Sequence, residues 1–319
     1  MMATLEFERE LVKLREDLEE IREDRGFKGD REARISELEF ELKARTTRVF
    51  AELTPWDKVQ LARHPDRPHA LDFIDLILTD FVEMHGDRHF GDDPAVVGGP
   101  AKLAGQRVMV IGHQKGRDTR ENVRRNFGMA SPEGFRKARR LMVQAEKFGM
   151  PVVTLLDIPG ASPVLEAEER GQAWAIADNL LEMAGLRVPI VVVVIGEGGS
   201  GGALALGIGD HIMMLEHTVY SVASPEGAAS IVWRDHKFAP EAAAALKLTP
   251  PDLIELGIVD RIVPEPPGGA HIDFDAAAEL LVGALEDELA ALAGRDIDAL
   301  VAARYEKFRS MGRGAVAPV

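Results

Sequence analysis

Apolar residues recur along the first fifty positions with the 3-4-3 spacing of one helical face. Leu11, Leu14, Leu18 and Ile21 form one stripe, and Ile35, Leu38, Leu42 and Val49 form a second. Gly26 and Gly29 interrupt the run, so residues 1–50 read as a helical hairpin arm with charges of both signs on its outer faces. From Thr54 to Pro94 the chain is irregular, with one predicted helix at 70–84. The body then alternates. Strands are predicted at 100–103, 106–112, 151–156, 189–195, 211–214 and 219–223, and helices at 132–148, 168–184 and 201–207. The runs VVTLL and IVVVVI are apolar in succession rather than alternating, with Thr154 the one polar residue, as expected for strands covered on both faces. This is the pattern of an α/β core over residues 51–270. Residues 271–319 add an acidic, Ala- and Leu-rich helix at 275–293 and a short basic segment ending in GRGAVAPV.

Composition narrows the function. Of 319 residues, 46% are hydrophobic and 29% charged, a globular balance that excludes global disorder. Lys and Arg number 38 against 53 Asp and Glu, so a net charge of −15 argues against general binding to nucleic acid or anionic membrane. The absence of cysteine removes disulfides, thiol catalysis and cysteine-based metal centres. The charged N-terminus has no signal-peptide core, and the longest apolar tract, 189–215, holds Glu197, Asp210 and His211; a cytoplasmic protein without a membrane span is expected. His64, His69, His85 and His89 do not follow the HExxH spacing of a helical zinc site. They read as a surface loop, and no metal site is expected.

Three segments could carry chemistry. The first, VVVVIGEGGSGGALALGIG from Val191 to Gly209, is a buried strand, a glycine-rich turn and a small-residue helix. Glycines admit a close ligand, and the first N–H groups of a helix lack internal acceptors. Gly196, Gly198 and Gly201 also satisfy GxGxxG, with Glu216 twenty residues on, and Gly198, Ser200 and Gly202 satisfy GxSxG. A dinucleotide site, a serine hydrolase using Ser200 with His113 and Asp157, and a backbone oxyanion site at Gly201 and Gly202 therefore compete. The second segment, LLDIPGASPVLEAEERGQ, repeats the strand–turn–helix logic, with Gly160 and Ala161 as a second pair of candidate amides and Glu166, Glu168 and Glu169 near a helix start. The third lies between His113 and Arg140. Its nine cations from Lys115 to Arg140, against Asp118, Glu121 and Glu133, make a local +6 suited either to gripping phosphates or to pairing with acidic neighbours.

Taken in order, LARHPDRPHALDFI, GHQKGRDT, RRNFGMASPEGFRKARRLM, DIPGASPVLEAEERGQ, VIGEGGSGGALALGIGD, YSVASPEGAASIVW and LGIVDRIVPEPPGGAH strongly resemble the alpha subunits of bacterial acetyl-coenzyme A carboxylase carboxyltransferase. The resemblance runs from about Thr47 to His271. It implies a crotonase-like (ClpP/crotonase) fold of repeated ββα units between the helical arm and a C-terminal helix. It implies transfer of a carboxyl group from carboxybiotin, borne by a biotin carboxyl carrier protein, to acetyl-CoA, giving malonyl-CoA for fatty-acid synthesis. The implied partners are a zinc-bearing beta subunit in an α2β2 assembly, the carrier protein, and a biotin carboxylase for the ATP-dependent step. By position in the motifs, the resemblance puts the oxyanion role on the Gly201 and Gly202 amides and on Gly160 and Ala161, with Gly198, Gly199, Ser200, Ser162 and Val164 on the biotin side. The family reads DTPGAYPG where this chain has Ile158, Ser162 and Val164. A β-branched residue cannot take the positive φ a glycine supplies, so Val164 raises the alternatives of a rerouted loop, weakened biotin binding, or a catalytically inactive scaffold.

Overall fold

A computed structural model describes residues 4–24, 27 and 29–312. Gly26 and the end of the tail, Arg313 to Val319, lie outside them. The two stripes fold as α1 (Arg9–Glu23) and α2 (Arg31–Ala51), and Asp30 caps α2 by accepting from the Ala33 N–H. Leu11, Leu18 and Leu38 are buried in the seam. Next come α3 (Pro55–Ala62) and α4 (Ala70–Ile77). The predicted helix at 70–84 thus stops early. From Thr79 the chain runs beside β1 (Val96–Leu103), exchanging hydrogen bonds between Thr79 and Lys102 and donating from Val82 to Pro100 and from Met84 to Gly98. Those bonds satisfy backbone groups that an open sheet edge would leave bare, which outweighs one more helical turn.

After β1 follow β2 (Gln106–His113), α5 (Thr119–Arg124), α6 (Pro132–Lys147), β3 (Val152–Ile158), α7 (Leu165–Glu169), α8 (Gln172–Gly185), β4 (Ile190–Gly199), α9 (Ser200–Leu204), β5 (His211–Leu215) and β6 (Val219–Ser221). The C-terminal part holds α10 (Pro225–Val232), α11 (Ala239–Leu246), α12 (Pro250–Glu255), β7 (Arg261–Val263), α13 (Phe274–Leu292) and α14 (Ile297–Ser310). The predicted helix at 168–184 is divided into α7 and α8 by Gly171, at φ +84°. That at 201–207 ends at Leu204. The segment expected to be a short basic one is α14, whose buried Arg304 donates to the carbonyls of Met183 in the last turn of α8 and of Leu186 and Val188 just after it, and pairs with Asp210. His64 and His69 are buried rather than on a surface loop, whereas His85 and His89 are exposed.

The sheet order is β1-β2-β3-β4-β5-β7, and only the β1–β2 pair is antiparallel. β4 pairs with β5 through Val191–Val194 and then with β6 through Glu197–Gly199. Alternate residues of the apolar runs feed two cores. Val152, Leu156, Ile190, Val192 and Val194 meet Phe135, Leu141 and Met142 of α6, while Val153, Leu155, Val191 and Val193 meet Phe73 and Ile74 of α4 and Leu281 and Leu285 of α13. Both faces are covered, as parallel strands require. The C-terminal ends of β3 and β4 emerge side by side, and there the two glycine-rich turns begin.

Candidate active site

The turn after β3 and the turn after β4 are in backbone contact, and glycine is what permits it. A Cβ at Gly199 would lie 2.1 Å from the Pro159 carbonyl oxygen; one at Gly202 would lie 2.6 Å from the Ala161 nitrogen and 2.9 Å from the Gly160 carbonyl carbon. The structure therefore joins the two segments that the sequence supplied separately. Gly201 and Gly202 sit in the first turn of α9, where amides have no acceptor inside the helix, and neither donates to another backbone group among the described residues. The Gly160 and Ala161 amides are likewise without backbone acceptors. Ser200 turns the corner at φ +51° and is exposed. Beside Ser200 and Gly201 opens a largely apolar groove of about 420 Å³, walled by Leu204, Tyr220, Val222 and Phe308.

Beneath the turns lies a network of ions. β3 bulges at Asp157, and the Asp157 Oδ1 accepts from the Glu197 N–H (3.0 Å) and from Lys115 Nζ (2.7 Å). Lys115 Nζ also reaches Glu197 Oε2 at 3.0 Å. The other Glu197 oxygen meets Arg63 Nε at 2.5 Å, and Arg63 continues to Glu226 at the start of α10. His69 Nδ1 lies 3.2 Å from Asp157 Oδ2. Burial alone would raise the Asp157 pKa, but Lys115 and then His69 outweigh it and hold the carboxyl well below its usual range. Burial would likewise lower the Lys115 pKa, and Asp157 and Glu197 together raise it. The spacing of these groups along the chain gave no sign that they meet.

The rival readings of the glycine segment fail on geometry. A Cβ at Gly196 would sit 2.3 Å from Asp157 Oδ1, and one at Gly198 would sit 2.6 Å from the Tyr220 ring. Two glycines of the dinucleotide pattern thus accommodate the protein's own side chains, and Glu216 accepts from the Glu265 N–H. The serine triad is not assembled. His113 is buried with neither ring nitrogen hydrogen-bonded, and burial drives its pKa down to about 3, while Asp157 is engaged with Lys115.

Residues 4–312 match the model of the acetyl co-enzyme A carboxylase carboxyltransferase-like family. The chain belongs to that family. It is 54% identical to the acetyl-coenzyme A carboxylase carboxyl transferase subunit alpha of Geobacillus kaustophilus, over 100% of this chain and 98% of that one. It is also 54% identical to the subunit of the same name from Geobacter metallireducens, over 98% of each. Among solved structures, transcarboxylase 12S superimposes with a TM-score of 0.57 at 22% identity, covering 72% of this chain and 43% of that one. A Pseudomonas malonate decarboxylase hetero-tetramer in complex with coenzyme A gives 0.56 at 19% identity, covering 70% and 89%. These likenesses establish the crotonase-like carboxyltransferase fold.

The chain's departures from the family pattern are accommodated locally. Val164 precedes α7 with φ −77° and ψ 153°, an extended conformation open to any residue, so no positive φ is demanded of it. Ser162 is buried; its N–H donates to the Ala130 carbonyl, and its Oγ accepts from Asn126 Nδ2 at 3.1 Å. It braces the turn from behind rather than lining an open face. Glu166 and Glu168 lie in the first turn of α7.

Most of the basic segment is consumed internally. Arg117 pairs with Asp72, Arg125 with Glu121, Arg136 with Asp87 and Glu133, Lys137 with Asp92, and Arg139 with Glu182. Arg140 donates to the carbonyls of His85 and Gly86. Arg120 and Arg124 are the exposed exceptions on α5. Glu8, His64 and His271 form a buried cluster, with His271 Nε2 2.9 Å from Glu8 Oε1. His64 Nδ1 accepts from the Asp66 N–H, which leaves the ring proton on Nε2, facing Glu8 Oε2 at 4.0 Å. The cluster joins the N-terminal arm to the body through the Glu8–His271 contact.

Proposed function

We propose that this chain is the alpha subunit of a biotin-dependent carboxyltransferase that moves a carboxyl group from carboxybiotin to acetyl-CoA, giving malonyl-CoA in the first step of fatty-acid biosynthesis. Family membership over residues 4–312 supports the reaction, and one structural observation carries the site: the turns at 159–161 and 199–202 touch backbone to backbone and, among the described residues, keep four amides free of backbone acceptors. Carboxyl transfer of this kind develops negative charge on a ureido oxygen and on a thioester oxygen. Preorganised N–H donors stabilise such charge without rearranging. The Gly201 and Gly202 amides serve one oxygen, and Gly160 and Ala161 lie beside them.

The donor set fits carboxybiotin: glycines leave space above the amides, and the apolar groove at Tyr220 and Phe308 is large enough for a small bicyclic ring and its alkyl arm. When bound, carboxybiotin supplies the transferable carboxyl and, after its release, a basic ring nitrogen for the methyl proton. No side-chain nucleophile is needed, which agrees with a site made of backbone. Completion of the site belongs to a beta subunit bearing the zinc, in an α2β2 assembly served by the biotin carboxyl carrier protein and biotin carboxylase. Among the described residues no helix is long and apolar enough to cross a membrane, in keeping with work in the cytoplasm.

The test is malonyl-CoA-dependent carboxylation of biocytin by the chain mixed with its beta subunit. Activity that needs both subunits supports the proposal. A stable but inactive complex would favour the scaffold alternative.

A further inference from the structure

We propose that Lys115 is the positioning residue that fixes the two glycine-rich turns relative to one another, acting through Asp157 and Glu197. The inference rests on the proposed function and deepens it. Asp157 stands two residues before Pro159 on β3, and Glu197 two residues before Gly199 on β4, so each carboxylate is at the root of one turn. Among the described residues Lys115 is the one cation in contact with both. Arg63 reaches Glu197 but not Asp157, and His69 reaches Asp157 but not Glu197.

The ammonium is held from its own side as well. A Cβ at Gly128 would lie 2.8 Å from Lys115 Cγ, so the 126–128 segment covers the Lys115 stem. Asn126, Phe127 and Gly128 are all left-handed, at φ +46°, +54° and +78°. Three consecutive residues in that region persist only where surroundings enforce them, and Asn126 in turn bonds Ser162 Oγ in the turn after β3. Lys115 therefore joins the covering loop, β3 and β4. With its side chain only 15% exposed and paired twice, it acts through its carboxylates rather than as an open anion grip.

Without the ammonium, Asp157 and Glu197 face one another at a buried site, and repulsion pushes the roots of the turns apart. Such a displacement of roughly 1 Å costs on the order of 10²-fold in rate. A Lys115→Met subunit in complex with the beta subunit is expected to lose about that factor in kcat, with KM for malonyl-CoA changing far less. The residual activity carries a pH signature. The groups facing Asp157 are Lys115 and His113 from the β2 side, His69 from the start of α4, and Glu197 from β4, with Arg63 behind Glu197. With Lys115 gone, burial raises the Asp157 carboxyl, which is neutral at low pH and charged at high pH. Relative to the wild type measured alongside, the variant's kcat then falls as pH rises.

Hydrogen exchange of the amides at 157–162 and 196–202 reads the same coupling without the reaction: Lys115→Met speeds exchange in both segments. The double variant Lys115→Met/Glu197→Gln, which restores charge balance, returns kcat and exchange toward wild type, as does Lys115→Arg in part. If Lys115→Met does not fold, recovery of folding and kcat in the double variant supports the proposal, and its absence overturns it. Wild-type exchange and kcat in Lys115→Met overturn it, and so does a kcat loss that the double variant fails to reverse, which would make Lys115 a direct substrate contact. A wild-type complex with no transfer activity would instead defeat the proposed function, leaving hydrogen exchange to decide the role of Lys115.

Discussion

Gly202→Ala puts the backbone contact between the turns under direct strain. The added Cβ would stand 2.6 Å from the Ala161 nitrogen, 2.8 Å from Ile158 Cδ1 and 2.9 Å from the Gly160 carbonyl carbon. Two of the three are backbone atoms, so no side chain can rotate away to make room. Ordinary contact needs 3.4 Å or more. The turns must part by roughly 1 Å, which moves one set of amides off the oxygen it serves and costs on the order of 10²-fold in kcat. Gly201→Ala is the comparison, because its Cβ meets only Ile176, at 3.7 Å, and displaces nothing in the protein. The assay is malonyl-CoA-dependent carboxylation of biocytin with the beta subunit in excess, after size-exclusion chromatography has confirmed that both variants form the complex. Gly202→Ala is expected to be the more damaging substitution by a wide margin and to act on kcat. An unchanged kcat in Gly202→Ala, or a larger loss in Gly201→Ala, would refute the reasoning.

Further predictions concern stability and the altered loop. Arg67 is buried, pairs with Glu265 at 2.6 Å and donates to the Ile195 carbonyl within β4; Arg67→Ala should cost about 3–5 kcal/mol in urea unfolding, much of it recovered when Glu265 is also neutralised. Asp87 accepts from the N–H groups of His89, Phe90 and Gly91 and from Arg136, which outweigh burial and bring its pKa from 3.8 to about 2. A depressed carboxyl stabilises the fold above its unfolded value, so this contribution is complete above pH about 4 and fades as pH falls to about 2; Asp87→Asn should flatten the melting-temperature profile over that window. Val164→Gly should leave transfer activity at the wild-type level, since Val164 already has an allowed φ; a marked gain would mean that the loop is impaired as it stands. Gly283→Ala, in the exposed interior of α13 with nothing within 4 Å of the new Cβ, should stabilise by about 0.5–1 kcal/mol on thermal denaturation.

The central strands were legible because residues 152–156 and 190–195 are apolar on both faces, with Thr154 as the one exception, a pattern that double-sided burial explains. The arm was legible from its 3-4-3 stripes. β7, three residues long, carries too little pattern to stand out, and α14 conceals its core-facing role because it buries only Leu300 and an arginine, Arg304. The glycine turns could be named from their motifs, but their contact could not, since Gly199 and Pro159 are forty positions apart. The same holds for Lys115, Asp157 and Glu197, which only the parallel order of β2, β3 and β4 brings together. The +6 segment was an ambiguous signal: a count of charge does not distinguish a face awaiting an anion from one already paired with Asp72, Asp87 and Glu133.

The most direct test of the account is the reverse reaction itself, with labelled malonyl-CoA, biocytin, the purified chain and its beta subunit. Label should move to biocytin only when both subunits are present, and Gly202→Ala should abolish most of that transfer without dissolving the complex. Equal transfer by the beta subunit alone, or by the Gly202→Ala complex, would contradict a site built on the amides of this chain.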